Sequence, residues 1–354
     1  MRFSLMFFSA AGDAPPGAGA GHPGYDMLLN AVQLADDSSI AGVWIPERHF
    51  TAFGGLYPNP AVLGAAIAVR TTRLRIRAGS VILPLHDPLR VTEEWSVVDN
   101  LSNGRVDLSF GSGWNADDFV LAPEGYEARR EDMWAGIEQV RRLWRGERVT
   151  RRNGAGRLVD IGTLPRPTQP ELPVWLTAQS ESSFARAGAA GEPVLTNLNF
   201  NSPEVLTRNV TTYRDHAVKA PDHSRTGVAL MVHAFAAGSD TEARALTADP
   251  LRDYLRSNLD LRDRSAQSRG AGGPPVGPDQ IDAIVGRGVD RIHGWAGLIG
   301  GFDSLLDKVE FFRSHGVDEL ACLIDFGVDQ DATERSVNLL CALAERYETR
   351  AGRR

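Results

Sequence analysis

Hydrophobic and amphipathic runs alternate along the whole chain of 354 residues. Continuous apolar runs of about four to eight residues are typical of buried strands, whereas apolar residues spaced by three and four positions are typical of helices. Predicted helices follow the predicted strands. The helix after the seventh strand covers residues 240 to about 258, and the last helix covers residues 331–347. The predicted strands are Phe3–Ser9, Gly42–Glu47, Arg75–Leu83, Arg105–Gly113, Pro173–Gln179, Pro193–Asn199, Thr226–Ala237 and Glu319–Asp325.

This alternation predicts the fold class. Apolar strands separated by helices indicate a parallel sheet that is covered by helices. Eight such units over this length favour a closed (β/α)8 TIM barrel over an open doubly wound sheet. No GxGxxG motif follows the first strand, which counts against dinucleotide binding on an open sheet. We therefore predict one barrel domain over residues 1–354, with loop insertions near 147–172 and 259–301.

Composition narrows the possible chemistry. Among 38 basic residues only Lys219 and Lys308 are lysines, so no P-loop lysine is present and Schiff-base chemistry has few candidates. The net charge of −7 argues against nucleic acid or an anionic membrane as partners. Cys322 and Cys341 lie in apolar segments and are predicted to be buried, reduced thiols. No segment has the roughly 20 apolar residues of a membrane span, so we expect a cytoplasmic protein.

A β/α barrel carries its chemistry at the carboxyl ends of its strands. Here these ends hold arginine, histidine, amides and hydroxyls without an evident metal-ligand spacing, so no metal is expected and a redox reaction would need an organic cofactor. Gln179, Ser180 and Ser183 follow the fifth strand and begin a helix. A helix N-terminus attracts anions, so these residues indicate either a phosphate site or simply an N-cap.

Several motifs together resemble the bacterial luciferase-like flavin monooxygenase family. They are WIPERHF at 44–50, LPLHDPLR at 83–90 and DNLSNGR at 99–105, within a similarity that extends from Met1 to about Tyr347. The resemblance is strongest to the subgroup associated with natural-product gene clusters, whose members work beside or within carrier-protein assembly lines. The family fold is a TIM barrel with insertions, in agreement with the strand pattern.

The resemblance implies an FMN-dependent monooxygenase of secondary metabolism. A separate flavin reductase would supply reduced FMN, oxygen would add to form a flavin 4a-hydroperoxide, and one oxygen atom would pass to a small or carrier-protein-tethered substrate. A homodimer through the helices after the second and third strands is also implied. Two alternatives stay open: a deazaflavin-dependent hydride-transfer enzyme on the same barrel, and a non-catalytic flavin-binding barrel.

The resemblance also implies positions for the flavin. Gly79 and Ser80 match a non-proline cis peptide that lies against the flavin ring. The phosphate would be held at the helix that follows the fifth strand and by an arginine, which is Arg130 here with Arg129 as the alternative. The cofactor-binding candidates are Gly79, Ser80, Trp114, Asn115, Arg130, Gln179, Ser180 and Ser183. For Trp114 and Asn115 a place in the substrate pocket is the alternative, and Trp114 could also be rim packing.

The sequence departs from the luciferases at the reacting centre. Arg48 stands where they carry a catalytic histidine, so a proton-transfer role does not carry over to this position. A guanidinium there would hold a substrate carboxylate, a phosphopantetheine phosphate or the peroxide oxygen. His49 stays as a candidate acid or base, with a structural hydrogen bond as the alternative. Gly111 and Ser112 replace a reactive cysteine and an arginine of the luciferases.

Overall fold

The structure is a computed structural model that describes residues 1–9, 22–198, 201–220, 222, 225–270 and 277–351. Asn199, the predicted end of the sixth strand, lies outside the described residues, as do residues 271–276 of the second predicted insertion. The strands are β1 (Arg2–Met6), β2 (Gly42–Ile45), β3 (Arg75–Ile82), β4 (Val106–Gly111), β5 (Val149–Arg152), β6 (Leu158–Ile161), β7 (Val174–Thr177), β8 (Val194–Asn197), β9 (Val228–Ala236), β10 (Leu298–Gly300) and β11 (Glu319–Leu323). The helices are α1 (Pro23–Asp36), α2 (Pro60–Arg70), α3 (Pro88–Ser102), α4 (Arg129–Arg145), α5 (Glu181–Ala189), α6 (Pro203–Ala217), α7 (Asp240–Ser268), α8 (Pro278–Arg291), α9 (Phe302–Ser314) and α10 (Gln330–Ala351).

Eight of these strands form one closed parallel sheet. Their order is β1, β2, β3, β4, β7, β8, β9 and β11, and β11 pairs with β1 to complete the ring. The predicted (β/α)8 barrel is therefore confirmed. Because all eight strands are parallel, their carboxyl ends meet at one mouth of the barrel, where a site is expected.

Successive side chains of a strand point to opposite faces of the sheet, so alternate residues pack in two different apolar layers. Val43 and Ile45 of β2 belong to the large apolar layer between the sheet and the helices. Trp44, between them in sequence, packs instead with a smaller cluster that includes Trp175 and Leu195. Trp44 and Trp175 meet edge to face, with ring centroids 5.1 Å apart.

A buried cation lies beside these two tryptophans. The Arg77 guanidinium donates from Nη1 to Glu319 Oε1 at 2.5 Å and from Nε to Asp107 Oδ2 at 2.9 Å. Its central carbon is 4.9 Å from the Trp44 ring centroid and 5.3 Å from that of Trp175. Burial lowers the pKa of Arg77, but the two carboxylates outweigh that effect and raise it. This arginine is fully engaged with the barrel itself.

The first predicted insertion, 147–172, contains the antiparallel hairpin of β5 and β6. The second predicted insertion, 259–301, begins with a helix instead of a loop. The helix that was expected to end near Asn258 continues to Ser268 as α7. Residues 259–268 contain no glycine or proline to stop it. Leu261 and Ser265, four residues apart, are buried on one helix face. The polar composition of this stretch was therefore a poor guide to its structure.

The short strand β10 was not predicted. It has only three residues, and Gly297, Gly300 and Gly301 lie within it or beside it. β10 pairs with Ala234–Ala236, beyond the last residue of β9 that pairs with β8. It therefore extends the sheet at the mouth without adding a strand to the ring.

The two cysteines agree with the sequence prediction. Cys322 in β11 and Cys341 in α10 are buried free thiols, and burial raises the pKa of both. Within the described ranges, no helix combines the length and the apolar character needed to cross a bilayer.

Candidate active site

The segment after β2 places Glu47, Arg48 and His49 at the barrel mouth, all three buried. The Glu47 carboxylate is the centre of a hydrogen-bond network. Its Oε1 accepts from His49 Nε2 at 2.8 Å and from His86 Nε2 at 2.5 Å, and its Oε2 accepts from the Ile82 N–H at 2.7 Å. The network therefore joins the end of β2 to the end of β3 and the loop beyond it.

The pKa values of this network follow from those bonds. Burial would raise the pKa of Glu47, but the donors from His49, His86 and Ile82 outweigh it and lower the pKa below its ordinary value. Burial would lower the pKa of His86, yet the bond to Glu47 raises it. Glu47 is thus held as a carboxylate, and His86 is stabilised in its charged form.

Glu47, His49 and His86 also form a group with metal-ligand distances, since one ligand atom from each lies within 4.8 Å of the others. The sequence pattern did not predict this group. The spacing in the sequence does not show the group, because Glu47 and His49 follow β2 whereas His86 follows β3. Each of the three ligand atoms is already used in a hydrogen bond within the group.

Arg48 lies next to this network in a different environment. Its side chain makes no hydrogen bond to the described residues, and its Nε and Nη1 are enclosed. The guanidinium lies 5.4 Å from the Phe8 ring centroid and 5.1 Å from that of Trp114. Its nearest counter-charge is Asp118 Oδ2, 3.6 Å from Nη1. Burial lowers the pKa of Arg48, and Asp118 opposes that effect without cancelling it.

Asn115 and Asp118 follow β4 and are both buried. Asn115 Nδ2 donates to Asp118 Oδ1 at 2.7 Å, which fixes the carboxylate beside Arg48. Burial raises the pKa of Asp118, although Arg48 and Asn115 both act to lower it. Asn115 Oδ1 and Asp118 Oδ2 are enclosed and accept no hydrogen bond from the described part of the chain. Trp114, just before them, is 40% exposed.

A series of aromatic rings continues from Arg48 across the mouth. Phe8 and Phe53 have centroids 5.2 Å apart, Phe53 and Tyr254 4.9 Å, and Tyr254 and His233 4.9 Å. Burial lowers the pKa of His233 to about 4, so its ring is neutral at neutral pH. These rings give the mouth an apolar wall in which charged groups are few.

Asp325 binds the chain segment that follows β1 and carries Phe8. It accepts from the backbone N–H groups of Phe8 and Ser9, both at 2.7 Å, and from the Tyr57 hydroxyl at 2.6 Å. Burial nevertheless raises the pKa of Asp325 to about 6. Asp325 therefore fixes the chain that carries Phe8, and it acts as a structural residue of the mouth.

The end of β3 presents backbone and hydroxyls to the mouth. The peptide bond between Gly79 and Ser80 is cis, as the resemblance implied. A Cβ atom on Gly79 would lie 3.1 Å from Trp44 and 3.3 Å from Leu195, so the backbone approaches these side chains closely. Ser80 Oγ is hydrogen-bonded to Thr177 Oγ1, which also lies 3.0 Å from Ser109 Oγ.

The N-terminus of α5 has a complete capping box. Ser183 Oγ accepts from the N–H groups of Gln179 and Ser180 at 3.1 and 3.0 Å, and the Ser183 N–H donates to Ser180 Oγ at 3.3 Å. The N-cap prediction is confirmed. A phosphate at the same helix end stays a prediction, because a capped N-terminus still has a positive dipole end.

The two candidate phosphate arginines differ in their contacts. Arg129 donates from Nε to the Gly113 carbonyl at 3.1 Å and from Nη1 to the Tyr126 carbonyl at 2.5 Å. Arg130 is exposed and makes no hydrogen bond or ion pair with the described residues. Glu131, the next residue, pairs with Arg186 of α5. The start of α4 thus lies beside α5, and Arg130 has its charge available there.

Comparison with known proteins places this barrel in a family. A family model described as luciferase-like monooxygenase matches residues 1–319. The chain belongs to the luciferase-like monooxygenase family. A relative from Acinetobacter baylyi, the oxygenase component of a flavin-dependent trigonelline monooxygenase, is 24% identical over 321 residues, which are 88% of this chain and 87% of that protein. This luciferase-like monooxygenase is accordingly an oxidoreductase.

Solved structures show the same barrel. The crystal structure of monooxygenase RslO1 from Streptomyces bottropensis superposes with a TM-score of 0.77 at 23% identity, covering 98% of this chain and all of that chain. The oxygenating constituent of 3,6-diketocamphane monooxygenase from Pseudomonas putida, a type II Baeyer-Villiger monooxygenase in complex with FMN, gives 0.74 at 20% identity, with 98% of each chain covered. At these identities the likeness concerns the fold.

In this luciferase-like monooxygenase the predicted site residues fall into four groups. Arg48, Trp114 and Asn115 are together in one cluster, to which the structure adds Asp118. His49 belongs to the Glu47 network. Gly79 and Ser80 form the β3 end, whereas the phosphate candidates lie at α5 and α4. Glu47 and Asp118 are the main residues that sequence reasoning missed.

Proposed function

We propose that this chain is the oxygenase of a two-component system that takes reduced FMN from a separate flavin reductase. It would oxygenate a small or carrier-protein-tethered substrate of secondary metabolism, in the cytoplasm and on a single barrel domain. The observation that carries the proposal is similarity over 88% of the chain to a protein named as an oxygenase component. A structural neighbour with FMN bound supports the choice of flavin.

The residues at the mouth fit an FMN. Gly79 carries no Cβ, which would crowd Trp44 and Leu195. Its cis peptide bond with Ser80 matches the position that the resemblance implies against the flavin ring. Ser180 and the α5 N-terminus offer hydroxyl and N–H donors for the phosphate, and Arg130, at the start of α4, offers a permanent positive charge. Reduced FMN bound there supplies the electrons that activate oxygen.

The chain's own residues would hold protons and exclude water. His49 Nε2 donates to Glu47, so Nδ1 is the ring atom available to hold or move a proton. Arg48, Trp114 and Asn115 would bind the substrate and close the mouth against water, which protects a reactive oxygen species.

Cofactor exchange tests this function. The protein is titrated without oxygen with reduced FMN and, separately, with reduced deazaflavin, and each complex is then mixed with oxygen. We expect FMN to bind and oxygen to be consumed well before the absorbance of oxidised flavin returns. Binding of deazaflavin with no affinity for FMN would instead support the hydride-transfer alternative. Reoxidation of the bound flavin at the rate of free FMN would support the non-catalytic flavin-binding barrel.

A matched pair of glycine variants locates the cofactor. Gly79→Ala places a methyl group against Trp44, whereas Gly154→Ala has nothing within 4 Å to meet. We expect weaker FMN binding in the first variant and no change in the second. Equal affinities would move the flavin away from the end of β3.

The homodimer is part of the proposal. Val62 and Val69 on α2 and Val97 and Leu101 on α3 are large apolar side chains with exposed fractions of 43–67%. These helices follow the second and third strands, where the family resemblance implied a contact. Light scattering on the protein and on Val69→Asp tests this: we expect a dimer that the charge weakens, and a monomeric parent protein would disprove it.

A further inference from the structure

We propose that the cluster of Arg48, Asn115 and Asp118 binds a neutral, planar aromatic substrate that carries a hydrogen-bond acceptor next to a donor. An aromatic amide or a hydroxyaryl ketone has this chemistry. The inference assigns a substrate class to the mouth of the barrel, and it rests on the proposed function only in taking that mouth as the substrate site.

The first step is the set of polar atoms without partners. Arg48 Nε and Nη1 are donors, and Asn115 Oδ1 and Asp118 Oδ2 are acceptors; all four are enclosed and lack a hydrogen bond within the described structure. Buried polar groups left in this state cost free energy. Because donors and acceptors lie together, a ligand that both accepts and donates satisfies the set best.

The second step is charge. Asp118 lies 3.6 Å from Arg48 and has its other oxygen fixed by Asn115. The pair is therefore close to neutral as a unit, and the two other charged residues that act on Arg48, Glu47 and Arg262, have opposite signs. A substrate carboxylate would bring a second anion next to Asp118 in a buried place, where like charges repel strongly. This argues against the carboxylate and phosphate ligands that the sequence left open for Arg48, and for a neutral group.

The third step is shape. The guanidinium lies between the Phe8 and Trp114 rings, and the aromatic wall continues through Phe53 and Tyr254. Flat walls of this kind favour flat ligands, because aromatic rings pack by stacked or edge-to-face contacts. The polar atoms are enclosed, whereas Trp114 beside them is 40% exposed. A ligand would therefore reach them by displacing Trp114 and taking its place over Arg48.

Three probes of one size separate the possible ligand classes. The amide of 2-naphthamide accepts and donates, the ketone of 2-acetonaphthone only accepts, and 2-naphthoate accepts and carries a charge. Their dissociation constants are measured by calorimetry on the full chain, alone and saturated with oxidised FMN. We expect 2-naphthamide to bind about tenfold more tightly than 2-naphthoate, since the amide N–H donates to Asp118 whereas the naphthoate carboxylate is repelled by it. The ketone is expected between them.

Two variants decide the cause. Asp118→Asn removes the anion and keeps the shape, so 2-naphthoate should gain about tenfold while 2-naphthamide loses its charge-assisted bond, and their order should reverse. Arg48→Gln should weaken all three probes, and 2-naphthoate most, because Asp118 then has no cation beside it. Thermal melts confirm that each variant is folded.

The outcomes are distinct. Preference for 2-naphthoate by the parent protein would overturn the neutral class and restore an anion site. Equal binding by the parent protein and Arg48→Gln would make Arg48 a structural residue and overturn the inference altogether. Because the probes are also ranked without flavin, failure of FMN to bind would disprove the proposed function and leave this result unaffected.

Discussion

Two buried arginines of this barrel, Arg77 and Arg48, have nearly the same surroundings and opposite electrostatics. The guanidinium of each lies 4.9–5.4 Å from two aromatic ring centroids, and the exposed fractions are 3% for Arg77 and 7% for Arg48. Arg77 donates hydrogen bonds to two carboxylates, whereas Arg48 donates none among the described residues. The same burial therefore leaves the pKa of Arg77 raised and that of Arg48 lowered.

The difference shows how to separate a structural charge from a ligand-binding one. Burial of a charge is costly unless it is paired and hydrogen-bonded. Arg77 meets both conditions from the chain itself, so its partners account for it. Arg48 meets neither fully, because its ion pair is too long for a hydrogen bond. The missing bonds are what we expect a substrate to supply.

The largest predicted effect concerns Arg77. Arg77→Met leaves Asp107 and Glu319 buried without their shared cation, and loss of one partner of a buried pair costs about 3–5 kcal/mol. Arg75 and Arg2 also contact these carboxylates, but both are partly exposed. We therefore expect the free energy of unfolding in urea to fall by about 3 kcal/mol, the lower end of that range.

Arg157→Gln is the matched control, since Arg157 is exposed and its side chain has no ion pair with the described residues. Its effect should stay within about 0.5 kcal/mol. A loss below about 1 kcal/mol in Arg77→Met would contradict the comparison, because the fully bonded arginine would then be dispensable to the fold.

Glu47 extends the comparison to a buried anion that is fully hydrogen-bonded. The pKa of Glu47 is lowered, so its contribution to stability is present above its unfolded pKa and is lost as the pH falls through the folded one. The pKa of His86 is raised, so its contribution is present below its unfolded pKa and is lost as the pH rises through the folded one. The Glu47–His86 pair therefore stabilises the folded state most between the two unfolded pKa values, at about pH 5–6.

Glu47→Gln removes the charge and keeps the shape. We expect it to lower the free energy of unfolding by about 2 kcal/mol at about pH 5–6, with a smaller difference at about pH 8. Urea unfolding of both proteins across this pH range measures the effect. A difference that does not vary with pH would show that the carboxylate acts through packing alone.

Arg48 should respond more weakly than Arg77. Arg48→Gln loses no hydrogen bond to the described residues but leaves Asp118 buried without its cation, so the free energy of unfolding should fall by about 1–2 kcal/mol, less than in Arg77→Met. Binding of 2-naphthamide should weaken by about tenfold. Arg48→Lys keeps the charge without the planar guanidinium, so its affinity for 2-naphthamide should lie between those of the parent protein and Arg48→Gln. A destabilisation as large as that of Arg77→Met would break the comparison.

Sequence reasoning found the barrel because its strands are continuous apolar runs of ordinary length. It missed β10, which is three residues long, and the end of α7, where polar composition hid the helical spacing of Leu261 and Ser265. Local pattern carries fold information when burial is regular, and it fails where an element is short or mostly exposed.

The candidate site was less accessible to sequence reasoning. Arg48 and His49 were found through a motif, but the role of Glu47 depends on His86, which is 39 residues away in sequence. Asp118 lies in a short irregular segment after β4, and nothing in its own sequence marks it as a partner of Arg48. Such contacts are set by tertiary packing across the mouth, which a single sequence does not show.

The smallest predicted effect completes the series with an exposed arginine. Arg130 has no partner among the described residues, whereas Arg129 is fixed by two backbone carbonyls. If Arg130 binds the FMN phosphate, Arg130→Gln should weaken FMN about fivefold, as expected for one exposed charge. Because salt screens an exposed charge, the loss of FMN affinity should shrink as salt is added.

Arg129→Gln should leave FMN affinity unchanged and lower the melting temperature, because it releases the Gly113 and Tyr126 carbonyls. Flavin fluorescence titrations at two salt concentrations compare the variants, and the reverse ranking would transfer the phosphate contact to Arg129.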